Sequence, residues 1–160
     1  MIIDLKNCTI KIKDGTTPTP LEVTVRVGEG TLSYTEKFNR EYKKDRGKLY
    51  QVRNGDEEPV DVKMDFLWEF LKASSGGTAT IEDALKQRGG ASAWVSTDSD
   101  TCAPYSVDLE ITHTPVCESE DVETILLSDF RVEQLDHDPK AGTVSCTGKC
   151  NVKEATVTRS

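Results

Sequence analysis

Histidine and aromatic side chains are both scarce in this chain. His113 and His137 are the two imidazoles, and Phe, Trp and Tyr together make 6% of 160 residues. Few histidines leave little scope for the commonest general base and metal ligand. No G-x-S-x-G elbow, P-loop or dinucleotide fingerprint occurs, which removes the usual marks of serine-hydrolase and nucleotide chemistry. No apolar run approaches the roughly 20 residues that cross a bilayer as a helix. The opening MIIDLKNCTI has no basic segment followed by an apolar one, so a soluble protein made in a cytoplasm is expected. Positive charge is also short, 20 Lys and Arg against 28 Asp and Glu, giving −8 and a pI near 4.8. That balance argues against DNA wrapping or an anionic membrane as the main partner.

The cysteines are Cys8, Cys102, Cys117, Cys146 and Cys150. An odd number without a secretory signal reads as reduced, buried thiols rather than a disulfide framework. No C-x-x-C is present, and the four-residue spacings His113/Cys117 and Cys146/Cys150 lack the tight turn of structural zinc sites. Asp98 and Asp100 lack the Gly and Glu that an EF-hand loop needs at its sixth and twelfth positions. No metal and no cofactor are expected.

What the chain does have is alternation. Residues 7–13, NCTIKIK, read as a strand ending in a tight turn at Asp14-Gly15, with Gly supplying a positive φ. Leu21, Val23, Val25 and Val27 make a second strand, ended by Gly28 and Gly30. Leu32, Tyr34 and Phe38 share one side of a third, and Val60, Val62, Met64 and Phe66 one side of a fourth. Beyond Phe66 the spacing of Leu67, Phe70 and Leu71 turns helical and stops at residues 74–77. Residues 80–89 give the one firm helix, with Thr80 and Asp83 as an approximate capping box and Gly89 as a left-handed cap. A short strand at 91–95 is anchored by Trp94; Val107, Leu109 and Ile111 point inward from another. Residues 124–135 form a strand whose apolar positions change parity at Ser128-Asp129, the mark of a bulge. A turn at 136–142 leads to two last strands within 143–158, with Val144, Cys146 and Gly148 on one face. The expected fold is mainly β, a single 1–160 domain forming a β-sandwich or barrel of about eight strands with one flanking α-helix and a long hairpin loop.

Residues 31–71 form the long hairpin arm and its following strand. Within it, residues 38–53 alternate poorly and carry Arg40, Lys43, Lys44, Arg46, Lys48 and Arg53 against Glu41 and Asp45, a net +4. Everything else then sums to −12. A basic arm on an acidic body fits docking on a protein partner of opposite potential, against the alternatives of a plain solvated loop or a nucleic-acid-binding loop. Asn54-Gly55 is a further turn signal inside the arm. Asp61, Asp65, Asp108 and Glu110 stand opposite apolar residues on long strands; if those strands share a sheet, its open face is acidic.

No catalytic site assembles from these residues. Asp136-His137-Asp138 reads as a turn with a polar network rather than a triad. Asp108 and Glu110 could serve glycosidic acid–base chemistry, but the chain supplies few aromatics to line a sugar cleft. A non-enzyme is expected.

Three runs, DRGKLYQVRNGDEEPVDVKMDFLWEFL, GASAWVSTDSDTCAPYSVDLEI and FRVEQLDHDPKAGTVSCTGKCNVKEATVT, resemble in order and spacing the tail tube (major tail) proteins of tailed bacteriophages, over roughly residues 28–158. The resemblance implies a structural virion protein that forms hexameric rings, stacked into a hollow tail tube that conducts DNA during ejection. It implies assembly in the host bacterial cytoplasm and a place in the virion tail. The partners implied are further copies of itself and tape measure, tail tip and tail terminator proteins. DNA would pass without specific binding, and no membrane is involved. Arg40, Lys43, Lys44, Arg46, Lys48 and Arg53 would then sit at a subunit interface, and Asp61, Asp65, Asp108 and Glu110 would face the tube lumen, where negative walls do not retain phosphate. The alternatives are a non-enzymatic β-sandwich module that binds a ligand or surface, and a small β-sandwich hydrolase.

Overall fold

Alternating side chains build ten strands among the described residues of the computed structural model, which are 2–27, 30–68, 79–117 and 119–160. In chain order they are β1 (Cys8–Lys13), β2 (Glu22–Val25), β3 (Leu32–Thr35), β4 (Arg40–Asp45), β5 (Lys48–Asn54), β6 (Val60–Leu67), β7 (Val107–His113), β8 (Glu123–Asp138), β9 (Thr143–Cys150) and β10 (Thr156–Arg159). A short helix, α1 (Ile81–Lys86), and single 3-10 turns at Leu5–Asn7 and Gly89–Ala91 complete the fold.

Eight strands form one antiparallel sheet in the order β2-β1-β7-β8-β9-β6-β3, with β10 added to β8. The sheet curls on itself. Arg26, just after β2 at one edge, and Thr31, just before β3 at the other, both lie against β6, the Leu67 amide donating to the Arg26 carbonyl and the Asp65 amide to that of Thr31, both at 2.9 Å. Buried residues from every part of the curl therefore share one core. The expected periodicity is realised side chain by side chain: Val60, Val62, Met64 and Phe66 are buried along β6, and Val107, Leu109 and Ile111 along β7. Each such burial stabilises by about 1.5–3 kcal/mol.

Strand β8 holds the two halves together. Its first half pairs with β7 and β10, its second half with β9. The register shifts once opposite Val107–Leu109, where Asp129 takes a left-handed φ of 56°, and again between Val132 and Gln134. The first is the bulge expected from the parity change. Extra residues of this kind increase local twist, which is what a curled sheet needs.

Several expectations are corrected. Gly15 does not adopt a positive φ. It is small because a Cβ there would collide with the Ser96 carbonyl. Residues 91–95 form no strand; Ala91 ends the Gly89–Ala91 turn, the rest follow it, and Trp94 is buried against the core. The helix is capped by Gln87, left-handed at φ 55°, two residues before the Gly89 expected in that place, which is left-handed as well. Asp136, His137 and Asp138 belong to β8, so the turn is confined to 139–142. The capping box does form, the Asp83 amide donating to Thr80 Oγ1 at 3.1 Å and the Thr80 amide to the shorter Asp83 carboxylate at 3.4 Å. Gly28, Phe70, Leu71 and the stop at 74–77 lie outside the described residues.

Candidate assembly interface

The basic arm is an ordered hairpin, set apart from the main sheet as a two-stranded ribbon of β4 and β5. Its turn is Arg46-Gly47, with φ of 51° and 81°, the paired left-handed conformation whose twist matches a two-residue hairpin. Asn54-Gly55 instead forms the base: the Gly55 amide donates to the Asn39 carbonyl at 2.9 Å, and the Asn39 side-chain amide to the Asp56 carbonyl at 2.9 Å.

The poor alternation of this stretch has a geometric cause. Tyr42 faces Val52 and Lys43 faces Gln51, but Lys44 faces Leu49, so Tyr50 is an extra residue in β5. Leu49 and Val52 would lie on opposite faces of a regular strand. The bulge at Tyr50 changes parity and brings both to the face of Tyr42. The hairpin is therefore amphipathic. One face carries Tyr42, Leu49 and Val52 flanked by Arg40 and Lys44; the other carries Glu41, Lys43, Asp45, Lys48, Gln51 and Arg53. Neither face is covered: Tyr42 is 61% exposed, Leu49 74%, Tyr50 78% and Val52 54%. The Arg40 guanidinium lies 5.7 Å from the Phe38 ring centre at the root of the arm. All six basic residues singled out in the sequence thus lie on or beside one ribbon, while its apolar side was not anticipated.

The four acidic residues are dispersed. Asp61 and Asp65 lie on β6, Asp108 and Glu110 on β7, with β8 and β9 between those strands. Asp61 pairs with Lys37 at 2.7 Å and Lys149 at 3.8 Å, and the Lys37 contact holds its carboxyl below the ordinary value. Glu110 pairs with Lys13 at 2.7 Å, and Asp65 accepts from the Ser145 hydroxyl at 2.6 Å. Asp108 accepts from the Asp129 amide at 3.1 Å; burial, and then the charge of Asp129, push its carboxyl up. Lysines interleave with the acids, so the outer face carries ion pairs rather than a bare negative wall.

The remaining candidates are in structural use. Asp98 holds Arg131 at 2.7 Å and accepts from the Asp100 amide, and Asp100 accepts from the Cys102 amide. His137 contacts Glu82 at 3.1 Å and stacks obliquely on Trp68, tying β8 to the start of α1. His113 is buried while Cys117 is exposed. Cys146 and Cys150 are buried, and burial pushes both thiols up to about 12, but Cys102 is also exposed, so the expectation of buried thiols holds for part of the set. Among the described residues no group of three or more His, Cys, Asp or Glu could hold a metal ion, and no helix is long and apolar enough to cross a membrane.

No protein-family model matches the chain, and no curated protein matches it in sequence. Among solved structures, the chain is similar to the sheath/tube terminator, in the extended state, of an extracellular contractile injection system, PVC, with 10% identity, a TM-score of 0.58, and 99% of this chain and 97% of that chain covered. A further similarity is to a chain of the anti-feeding prophage (AFP) baseplate, with 11% identity, a TM-score of 0.44 and coverages of 95% and 92%. The chain thus shares its fold with that terminator over nearly the whole length of both chains.

Proposed function

We propose that the chain is a structural, non-enzymatic subunit of a phage-tail-like assembly, joining copies of itself into a ring on the tail axis. The observation that carries this reading is the uncovered amphipathic hairpin. A lone two-stranded ribbon is marginally stable in water, and one with four large apolar side chains more than half exposed is built to be covered. The full-length likeness in fold to a sheath/tube terminator supports the tail context, as does the resemblance in sequence to tail tube proteins. The ring is six-membered in this proposal, and the arm bridges neighbouring copies through Arg40, Lys43, Lys44, Arg46, Lys48 and Arg53. The sheet's outer face, with Asp61, Asp65, Asp108 and Glu110, is the surface we assign to the lumen.

Two forms of the assembly follow from the two likenesses. The sequence resemblance favours rings that stack into a tube for DNA ejection; the fold likeness to a terminator favours a single ring that closes a tube. Negative-stain electron microscopy of the concentrated protein at several salt levels separates them. Long hollow tubes support the first, discrete rings the second. Monomers under all conditions, with a hairpin already protected from hydrogen exchange, would refute both and favour a surface-binding module.

A further inference from the structure

We infer that the apolar face of the hairpin, rather than its basic residues, provides the affinity between subunits, and that its seat on a second copy is the acidic loop between β7 and β8. This rests on the ring-forming reading above. Tyr is among the side chains that anchor protein interfaces, and exposed ion pairs add little. Tyr42, Leu49 and Val52 gather on one face because Tyr50 is inserted, so the bulge has a purpose that the isolated ribbon does not explain.

The seat is argued from charge and exposure. Residues 38–53 carry +4. The sequence between β7 and β8, residues 114–122, TPVCESEDV, carries −3 with no basic residue among them, while Glu123 at the start of β8 is paired with Arg159 at 3.0 Å. Within that loop Val116 is 76% exposed, giving an apolar contact beside the acids. The loop is also fixed to the end of the chain, the Val122 amide donating to the Ser160 carbonyl at 2.8 Å and the Ser160 amide to the Val122 carbonyl at 3.0 Å. Opposite charges steer and orient the two surfaces, and the apolar contact holds them. A nucleic acid fits the basic residues but not Leu49 and Val52, and the −12 of the remaining chain opposes it.

The test is sedimentation velocity of the full chain at 0.1 and 0.5 M NaCl. Wild type is expected to assemble in both. The fourfold variant Tyr42→Ser, Leu49→Ser, Tyr50→Ser, Val52→Thr should need at least about 100-fold higher concentration while keeping the wild-type melting temperature. Leu49→Ser alone, outside the core, serves should the fourfold variant misfold, with a shift of about tenfold. Lys43→Glu with Lys44→Glu and Lys48→Glu should weaken assembly chiefly at low salt, and adding Glu120→Lys with Asp121→Lys should restore it. Apolar variants that assemble like wild type overturn the inference and leave the ring reading standing. Failure of the charge exchange to restore assembly overturns the loop as the seat. A wild type that never assembles overturns inference and ring reading together, and hairpin-dependent binding of a 30-mer DNA by such a monomer replaces them with nucleic-acid recognition.

Discussion

Replacing Asp14 by Asn tests how this fold closes its N-terminal corner. Asp14 is 3% exposed. Its Oδ1 accepts from the amides of Thr16 at 3.1 Å and Leu21 at 2.7 Å, and its Oδ2 from the Thr16 hydroxyl at 2.6 Å and the Val95 amide at 3.2 Å. One carboxylate thus pins the loop after β1 to the segment carrying Trp94. Asn keeps one accepting oxygen but presents an NH2 group where the other stood. The Thr16 hydroxyl can turn to accept from it, whereas the Val95 amide loses its partner in a part-buried setting. A lost bond to a charged acceptor costs about 1.5–3 kcal/mol, and weakening of the other three adds to it, so the expected loss is about 3–5 kcal/mol. That is a large share of the roughly 5–15 kcal/mol by which such domains are stable. Burial alone would raise the Asp14 carboxyl, but its hydrogen bonds outweigh that and hold it below the ordinary value. The wild type's advantage over Asp14→Asn should therefore be complete above about pH 5, start to shrink near pH 4 and fall away as the folded carboxyl protonates. Urea unfolding followed by tryptophan fluorescence from pH 7 down to about pH 2.5 measures both quantities. A difference under about 0.5 kcal/mol at pH 7, or one that does not shrink with acid, refutes the reasoning.

Three other outcomes are expected. Gly148→Ala should prevent folding, because a Cβ would strike the Arg131 carbonyl of the adjoining strand and lie 2.7 Å from Phe130 Cε2; soluble yield and circular dichroism check this. Gly47→Ala, at φ 81° with no atom within 4 Å, should weaken the hairpin by about 1 kcal/mol through backbone strain alone. Amide exchange over residues 40–54 should then quicken while the unfolding midpoint of the main sheet stays put. An alkylating thiol reagent at pH 8 should label Cys102 and Cys117 rapidly and Cys146 and Cys150 after unfolding, since the latter two are buried with thiols pushed up to about 12. Fast labelling of either buried thiol would show that the β9 side of the core opens readily.

The sheet was readable where one face is buried and the other wet. Val60 to Phe66 and Val107 to Ile111 announce themselves because a period of two survives only in that setting. The bulge at Asp129 was readable for the same reason, as a break in parity. The hairpin's second bulge was not, because nothing covers the ribbon and so no buried pattern marks Tyr50. Arg46 is an unusual residue for a left-handed turn position, and Asn54-Gly55, the stronger turn signal, turned out to sit at the base. Asp14 was visible only as part of a turn signal; its link to the segment carrying Trp94 was not, since Val95 is 81 residues away and donates from the backbone. The basic half of the candidate interface was visible as charge; its apolar half depended on a register that only pairing can fix.

The strand order also dictates when the chain can fold. β1 must find β7, and β6 must find β9, each partner lying about 80–100 residues further along. Closing such long loops before any long-range contact forms is slow. During synthesis β1, β2, β3 and β6 wait as bare hairpins with open edges until β8 and β9 leave the ribosome. Folding should accordingly be a single late event, and chains ending before residue 138 should gain no stable core and aggregate through those edges. Pulse proteolysis of nascent chains of increasing length should show protection arriving in one step, after β9 emerges.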